Sequence, residues 1–243
     1  PRLCPCMLMS PISVAQYMDP KHATFDLIVF DEASQLPTCK AVGVLARGKD
    51  AVIVGDPKQL PPTRFFEASN DDDEQLEAED LESVLDDCLA LSMPETHLLW
   101  HYRSSHESLI AFSNMTYYDN KLLTFPSPND QISKVRFVPV NGIYDRSRTR
   151  QNRIEAKAVV DEIVRRLENP ETREQSIGVV TFSSAQQIAV DDLLNDVLRL
   201  RPELEEAANQ GPEPLFIKNL ENVQGDERDV ILFSVGYGPR SEE

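Results

Sequence analysis

The sequence predicts an α/β fold of parallel sheets flanked by helices. Short apolar runs alternate with stretches of helical periodicity, which is the pattern of parallel α/β architecture. Runs such as Leu27 to Phe30, Ala51 to Val54 and Ile177 to Phe182 are apolar at successive positions, as strands covered on both faces should be. The 243 residues are 41% hydrophobic, which supplies a core and excludes wholesale disorder.

The expected strands are Leu27 to Phe30, Ala51 to Val54, Leu98 to Trp100, Val135 to Val140, Ile177 to Phe182, Phe216 to Lys218 and Val230 to Val235. Start signals mark the helices between them. Ser104-Ser105-His106-Glu107 fits a capping box before LIAFSNMTYY. Asn152 followed by Glu155 opens a second helix, whose apolar stripe runs through Ala156, Val160, Ile163, Val164 and Leu167 to a stop at Asn169-Pro170. Ser184 followed by Gln187 opens a third, which ends before Pro202.

Charge and cysteine content narrow the classes of function. The chain carries 24 basic and 41 acidic residues, for a net charge of −17, which argues against nonspecific coating of nucleic acid but not against a local basic groove. Ten carboxylates fall between Asp71 and Asp87 with no basic residue among them. That stretch reads as an acidic connector running into a short helix marked by Leu81, Val84, Leu85 and Leu89. No apolar run approaches the ~20 residues of a membrane-spanning helix, so no membrane partner is expected. Cys4, Cys6, Cys39 and Cys88 match neither a disulfide framework nor a zinc knuckle, which predicts reduced thiols and a cytoplasmic location. His101 and His106, five apart, do not share a helical face.

Four segments carry chemistry. FDLIVFDEASQ (residues 25–35) is a strand ending in Asp31-Glu32, where ligands bind in open parallel sheets. Adjacent carboxylates there suit Mg²⁺ and an attacking water, or simply cap the next turn. AVIVGDPKQLPPT (residues 51–63) ends a second strand in a Gly-Asp-Pro turn followed by Gln59, a side chain able to hydrogen-bond a γ-phosphate. LLWHYRSSHES (residues 98–108) sets Arg103 at a strand-to-helix turn within reach of a phosphate, or of a nearby carboxylate. KNLENVQGDERDVILFSVGYG (residues 218–238) makes a tight turn at Gln224-Gly225 before a buried strand, with Glu227 able to accept from ribose hydroxyls.

In this order and spacing the segments resemble the superfamily 1 helicases, in the 5′-to-3′ branch that includes the nonsense-mediated-decay RNA helicase and its bacterial relatives. FDLIVFDEASQ resembles the Walker B motif, VIVGDPKQLPP motif III, WHYRS the arginine-bearing motif at the start of the second lobe, and VQGDERDVILFS motif V. MSPISVAQYM (residues 9–18) resembles the segment before Walker B, and IGVVTFSSAQQ (residues 177–187) the second-lobe strand that touches the nucleic-acid backbone.

The resemblance implies RecA-like lobes of the P-loop NTPase fold, one partial and one nearly complete. Residues 1–69 would end the first lobe, 70–95 form the connector, and 96–243 belong to the second. It implies ATP and Mg²⁺ as cofactors and single-stranded DNA or RNA as partner. Asp31 would hold Mg²⁺, Glu32 activate water, Gln59 sense the γ-phosphate, Tyr102 pack near the nucleotide and Arg103 act as an arginine finger. Gln224, Gly225 and Glu227 would shape and bind the ribose side, with Ser10, Pro11, Pro62, Thr181 and Ser183 as contacts to the strand or as coupling residues.

The family's GxxxxGK[ST] loop is not found. Gly43-Val-Leu-Ala-Arg-Gly48-Lys49 comes nearest, but Asp50 replaces the hydroxyl and the segment leads into a strand instead of opening a helix. The chain is therefore expected to be part of a larger polypeptide that supplies Walker A and the last motif, and to turn over ATP negligibly alone. Two other readings stand beside the motor: a non-catalytic binding module, and a Mg²⁺-dependent phosphohydrolase using Asp31, Glu32 and Asp56. A basic stretch, Arg146, Arg148, Arg150 and Arg153, is either a phosphate contact or a solvated loop.

Overall fold

The computed structural model describes residues 5–19, 21, 24–62, 83–129, 131–209 and 213–239. Most of the acidic connector, including Leu81, and Cys4 lie outside them. The chain divides into two compact units, residues 1–135 and 136–243.

The first unit contains α1 (Pro11–Tyr17), β1 (Phe25–Phe30), α2 (Thr38–Leu45), β2 (Gly48–Ile53), α3 (Val84–Ala90), β3 (Trp100–His101), α4 (Ser108–Tyr117) and β4 (Leu123–Thr124). β1 pairs parallel with β2, and β3 with β4. Ile28, Phe30 and Ile53 face a small core with Ala33, Ala41, Val84 and Leu85, whereas Leu27, Val29 and Val52 stay exposed. The sheet is thus covered on one face, and the expectation of double burial fails here: the apolar run FDLIVF folds with the in-out alternation of a half-covered strand. A capping box in which Ser83 and Asp86 each bond the other's backbone N–H starts α3.

The second unit contains α5 (Arg153–Glu168), β5 (Ile177–Thr181), α6 (Ser184–Leu200), α7 (Pro202–Asn209), β6 (Phe216–Asn219) and β7 (Val230–Ser234). Its sheet has the order β6-β5-β7, both pairs parallel. β5 is central and buried at every residue, as its apolar run predicts. α5 buries Ala156, Val160, Ile163 and Leu167, and α6 buries Ala189, Val190, Leu194 and Leu198. Spacings of three and four put each set on one face against the sheet.

Three expectations need correction. Val135 to Val140 forms no strand; its side chains are largely exposed, and Pro139 has no N–H to give a ladder. The capping box at Ser104 does not form: Ser104 is held by His101, through its hydroxyl at 2.8 Å and its N–H at 3.3 Å, and α4 begins only at Ser108. The cap of α6 is Ser183, one residue earlier than expected, accepting from the Gln186 N–H. Gly48 and Lys49 lie in β2, so the near match to a phosphate loop opens a strand, as the sequence indicates. No helix among the described residues is long and apolar enough to cross a membrane.

A buried polar network fastens the second unit. The Gln186 side chain accepts from the Asn152 N–H at 2.8 Å and donates to the Asn152 carbonyl and the Ser234 hydroxyl, both at 3.1 Å. Ser234 in turn donates to Glu155 at 2.8 Å. Gln186→Met keeps the volume but strands these groups away from water, and is expected to cost about 2–4 kcal/mol. A fall of that size in the urea unfolding free energy is the measurement that checks it.

Candidate functional site

The parallel pairing of β1 and β2 places the ends of the two acidic segments side by side. Phe30 is in register with Ile53, and past the strands the Ala33 N–H donates to the Val54 carbonyl at 2.9 Å. Gly55 makes this approach possible. A Cβ there would fall 2.9 Å from the Ser34 nitrogen and 3.2 Å from the Ala33 nitrogen, closer than any larger residue tolerates. Asp31-Glu32 and Asp56 to Gln59 therefore emerge on one rim, at the carboxyl ends of the strands.

Glu32 has φ 53 and ψ 39, the left-handed region, where a non-glycine residue stores strain of about 1–2 kcal/mol. This backbone reversal turns the chain from β1 into a 3₁₀ turn at Ala33–Gln35 and leaves the Glu32 side chain exposed. Its carboxylate accepts from the Gln35 side-chain amide at 3.1 Å. Asp31 accepts from the Glu32 N–H at 3.0 Å through one oxygen. Ser34 is buried, and its hydroxyl has no hydrogen-bond partner among the described residues.

Asp56 organises the second segment. It accepts from the Lys58 N–H at 2.9 Å and the Gln59 side-chain amide at 3.4 Å, while its carbonyl accepts from the Gln59 N–H at 3.1 Å. It also accepts from the Tyr118 hydroxyl at 2.6 Å. Tyr118 ends α4, the helix that follows Tyr102 and Arg103, so the segment bearing the arginine is tied to the acidic rim through Asp56. Sequence reasoning missed this bond, because nothing local marks a partner 62 residues away. Arg103 and Tyr102 are both exposed.

Other expected site residues lie elsewhere. Ser10 caps α1 by accepting from the Ser13 N–H, Pro11 is the first residue of that helix, and Pro62 is half-buried. In the second unit Thr181 is fully buried, with its hydroxyl donating to the Ser183 carbonyl at 3.0 Å, so its side chain acts within the protein. The Ser183 hydroxyl is taken by its role as the cap of α6. Gln224 and Glu227 are exposed around Gly225, whose φ of 85 is the left-handed conformation the tight turn requires.

The donor set on the rim of the first unit is all oxygen, which fits a hard cation such as Mg²⁺. Among the described residues no three His, Cys, Asp or Glu side chains are placed to hold a metal by themselves. A cation held by one carboxylate together with water and substrate phosphates suits this rim; a cage made by protein alone does not.

Carboxylate and amide side chains gathered at the carboxyl rim of a parallel sheet stand where α/β proteins of this class bind their ligands. Comparison with known proteins agrees. Two family profiles, each described as an AAA domain, match residues 10–67 and 81–238. An ATP-dependent helicase of Mycoplasma genitalium, MG140, is 35% identical over 248 residues, covering 97% of this chain and 22% of that protein. The DNA polymerase alpha-associated DNA helicase A of Saccharomyces cerevisiae is 25% identical, covering 89% of this chain and 34% of that protein. The 5'-3' DNA helicase ZGRF1 of Mus musculus is 24% identical, covering 86% of this chain and 11% of that protein. The chain belongs to the AAA-domain family of P-loop NTPase fold and is a superfamily 1 helicase-like protein. It spans 22% of the length of the two Mycoplasma helicases that it matches.

Burial, and then the hydrogen bond to Asp56, push the Tyr118 phenol up to about 12. A free tyrosine titrates near 10, so the neutral phenol supports the fold fully below pH ~10, and that support is lost as pH rises towards the folded value. Ultraviolet titration is expected to show one late phenol that Tyr118→Phe removes, together with the part of the alkaline loss of stability between pH ~10 and ~12 that it causes.

Proposed function

We propose that this chain is part of an ATP-dependent motor that couples ATP hydrolysis to movement along single-stranded nucleic acid. The observation that carries the reading is the shared rim of Asp31, Glu32, Asp56 and Gln59, brought together by the β1–β2 pairing and the close approach at Gly55. Relatives named as DNA helicases favour DNA as the track.

In this reading residues 1–69 come from a first RecA-like lobe and 96–243 from a second, with 70–95 between them. When bound, ATP would supply the phosphoryl group that is transferred to water, and Mg²⁺ would offset the charge of its phosphates. Asp31, which accepts from the Glu32 N–H through one oxygen, would hold the cation. Glu32, exposed and steadied by Gln35, takes the proton of the attacking water. Gln59, held by Asp56, hydrogen-bonds the terminal phosphate. Arg103 neutralises charge that develops on the transferred group, and Tyr102 lies against the nucleotide. Gln224, Gly225 and Glu227 form the turn on the ribose side.

The non-catalytic alternative predicts strand binding without turnover, and the phosphohydrolase alternative predicts phosphate release that nucleic acid does not stimulate. In the full-length protein, Glu32→Gln is expected to lower strand-stimulated ATP hydrolysis about 10²–10⁴-fold while ATP still binds. Arg103→Ala is expected to cost about 10³–10⁵-fold. Turnover that survives both substitutions refutes the assignment.

A further inference from the structure

The basic stretch singled out in the sequence builds a cleft within the second unit. Tyr144, Arg146, Arg150, Tyr237 and Gly238 line an open hollow of about 610 Å³. Tyr144 and Tyr237 meet edge to face, with ring centres 5.3 Å apart, and Tyr237 remains 58% exposed. One aromatic ring is thus braced by another and still offers surface to a ligand.

The arginines are presented by a closed loop. Asp145 accepts from the Arg148 N–H at 3.2 Å, the Thr149 N–H at 3.0 Å and the Thr149 hydroxyl at 2.9 Å, and its own N–H donates to the Gln151 carbonyl at 3.0 Å. The nearest carboxylate in sequence is therefore engaged with the loop backbone. Among the described residues no carboxylate pairs with Arg146, Arg148 or Arg150. In a chain of net charge −17 this leaves three arginines, close in sequence and with no carboxylate partner among the described residues, two of them lining one hollow and open to an anion from outside.

The floor is fixed. The Tyr144 N–H donates to the Pro239 carbonyl at 3.2 Å, and the Gly236 N–H to Glu155 at 2.9 Å. Gly238 passes so close to the Gly142 carbonyl that a Cβ would lie 2.9 Å from its oxygen. Through Glu155 and Ser234 the segment after β7, which carries Tyr237, joins the buried Gln186 network.

We infer that this cleft seats one nucleotide unit of a single strand, its phosphate on the Arg146 and Arg150 guanidinium groups and its base against Tyr237. Guanidinium recognises phosphate by charge-assisted hydrogen bonds, and an exposed aromatic ring stacks any base. The volume accommodates a nucleotide unit. The inference rests on the motor reading and extends it, giving the second unit a grip on the strand built from side chains outside the four helicase-like segments, Tyr237 excepted.

The test measures binding of the full-length protein to labelled oligothymidylate across a salt series. Arg146→Glu with Arg150→Glu is expected to weaken binding about tenfold or more and to flatten the slope of log affinity against log salt by roughly 0.7, one single-strand phosphate. The same charge change at two exposed arginines away from the cleft, Arg173→Glu with Arg199→Glu, leaves the slope as it was, and Arg146→Lys with Arg150→Lys restores most of the affinity. Tyr237→Ala weakens oligothymidylate about 5- to 100-fold but not an abasic oligomer of the same length. Affinity and slope unmoved by the charge reversal overturn the inference, as does displacement of the strand from the cleft by polyglutamate. Failure here, with Glu32→Gln still abolishing hydrolysis, removes the cleft and leaves the motor reading intact. Absence of hydrolysis in the wild type removes the motor, while the strand measurement still decides the cleft.

Discussion

Every strand pair among the described residues is parallel, and that constraint organises both units. A parallel pair cannot be closed by a tight turn; each strand must be re-entered from the same end after a crossover. All carboxyl ends in a sheet therefore lie along one edge, and the residues that follow them become neighbours however far apart they are in sequence. In the first unit this brings the turn after β1 against the turn after β2. In the second it brings Ser183, after β5, close to Asn219 at the end of β6, whose side-chain amide donates to the Ser184 hydroxyl at 3.3 Å. On the other side it lets Phe182 donate its N–H to the Ser234 carbonyl at the end of β7. Polar side chains that a buried strand could not carry along its length collect at that edge.

The edge differs in kind between the units. In the first it is exposed and acidic, with Glu32 in a left-handed conformation that no hydrogen-bonding need of the strand itself requires. Strain of that sort persists only where surrounding contacts over-determine it, and here the Ala33–Val54 bond and the Gly55 approach do so. In the second unit the edge carries a buried polar network. Gln186, Asn152 and Ser234 satisfy one another, and Glu155 is the one ionisable group drawn in, accepting from both Ser234 and Gly236. The first arrangement suits groups that must meet water and a phosphate; the second suits a brace.

This division also explains what could be read in the sequence. Central strand β5 was legible because every residue of it is buried, and helices α5 and α6 because each buries one regularly spaced face, so apolar spacing reports them directly. Asp31 and Glu32 stood out because they follow an apolar run at once, and Gln59 because it comes just past the turn that ends the next such run; a strand end needs no distant partner to be recognised. Gln186 carried a signal that was passed over: it occupies the buried face of α6 in register with Ala189 and Val190, a polar residue where the stripe wants an apolar one. The Tyr118–Asp56 bond and the need for glycine at position 55 left no such mark, because both depend on which loops the crossovers bring together. Val135 to Val140 misled for the opposite reason. Its composition is strand-like, but a strand exists only with a neighbour to pair, and Pro139 weakens the offer.

Net charge and local charge have to be reconciled in any account of a nucleic-acid motor with this composition. At physiological ionic strength the field of exposed carboxylates is screened over about 8 Å, so remote acidic residues weigh little on a phosphate already in contact with an arginine. They weigh more on the approach of a polyanion to the rest of the surface, which they discourage. An acidic body with a few unpaired guanidinium groups on a closed loop therefore confines its grip to chosen points and keeps the remaining surface from clinging. In the proposed motor, which holds a strand in one state and releases it in the next, a grip limited to a few contacts can be loosened by moving a few contacts. The loop around Asp145 supplies the means, because it commits its one carboxylate to its own backbone and leaves its arginines outward.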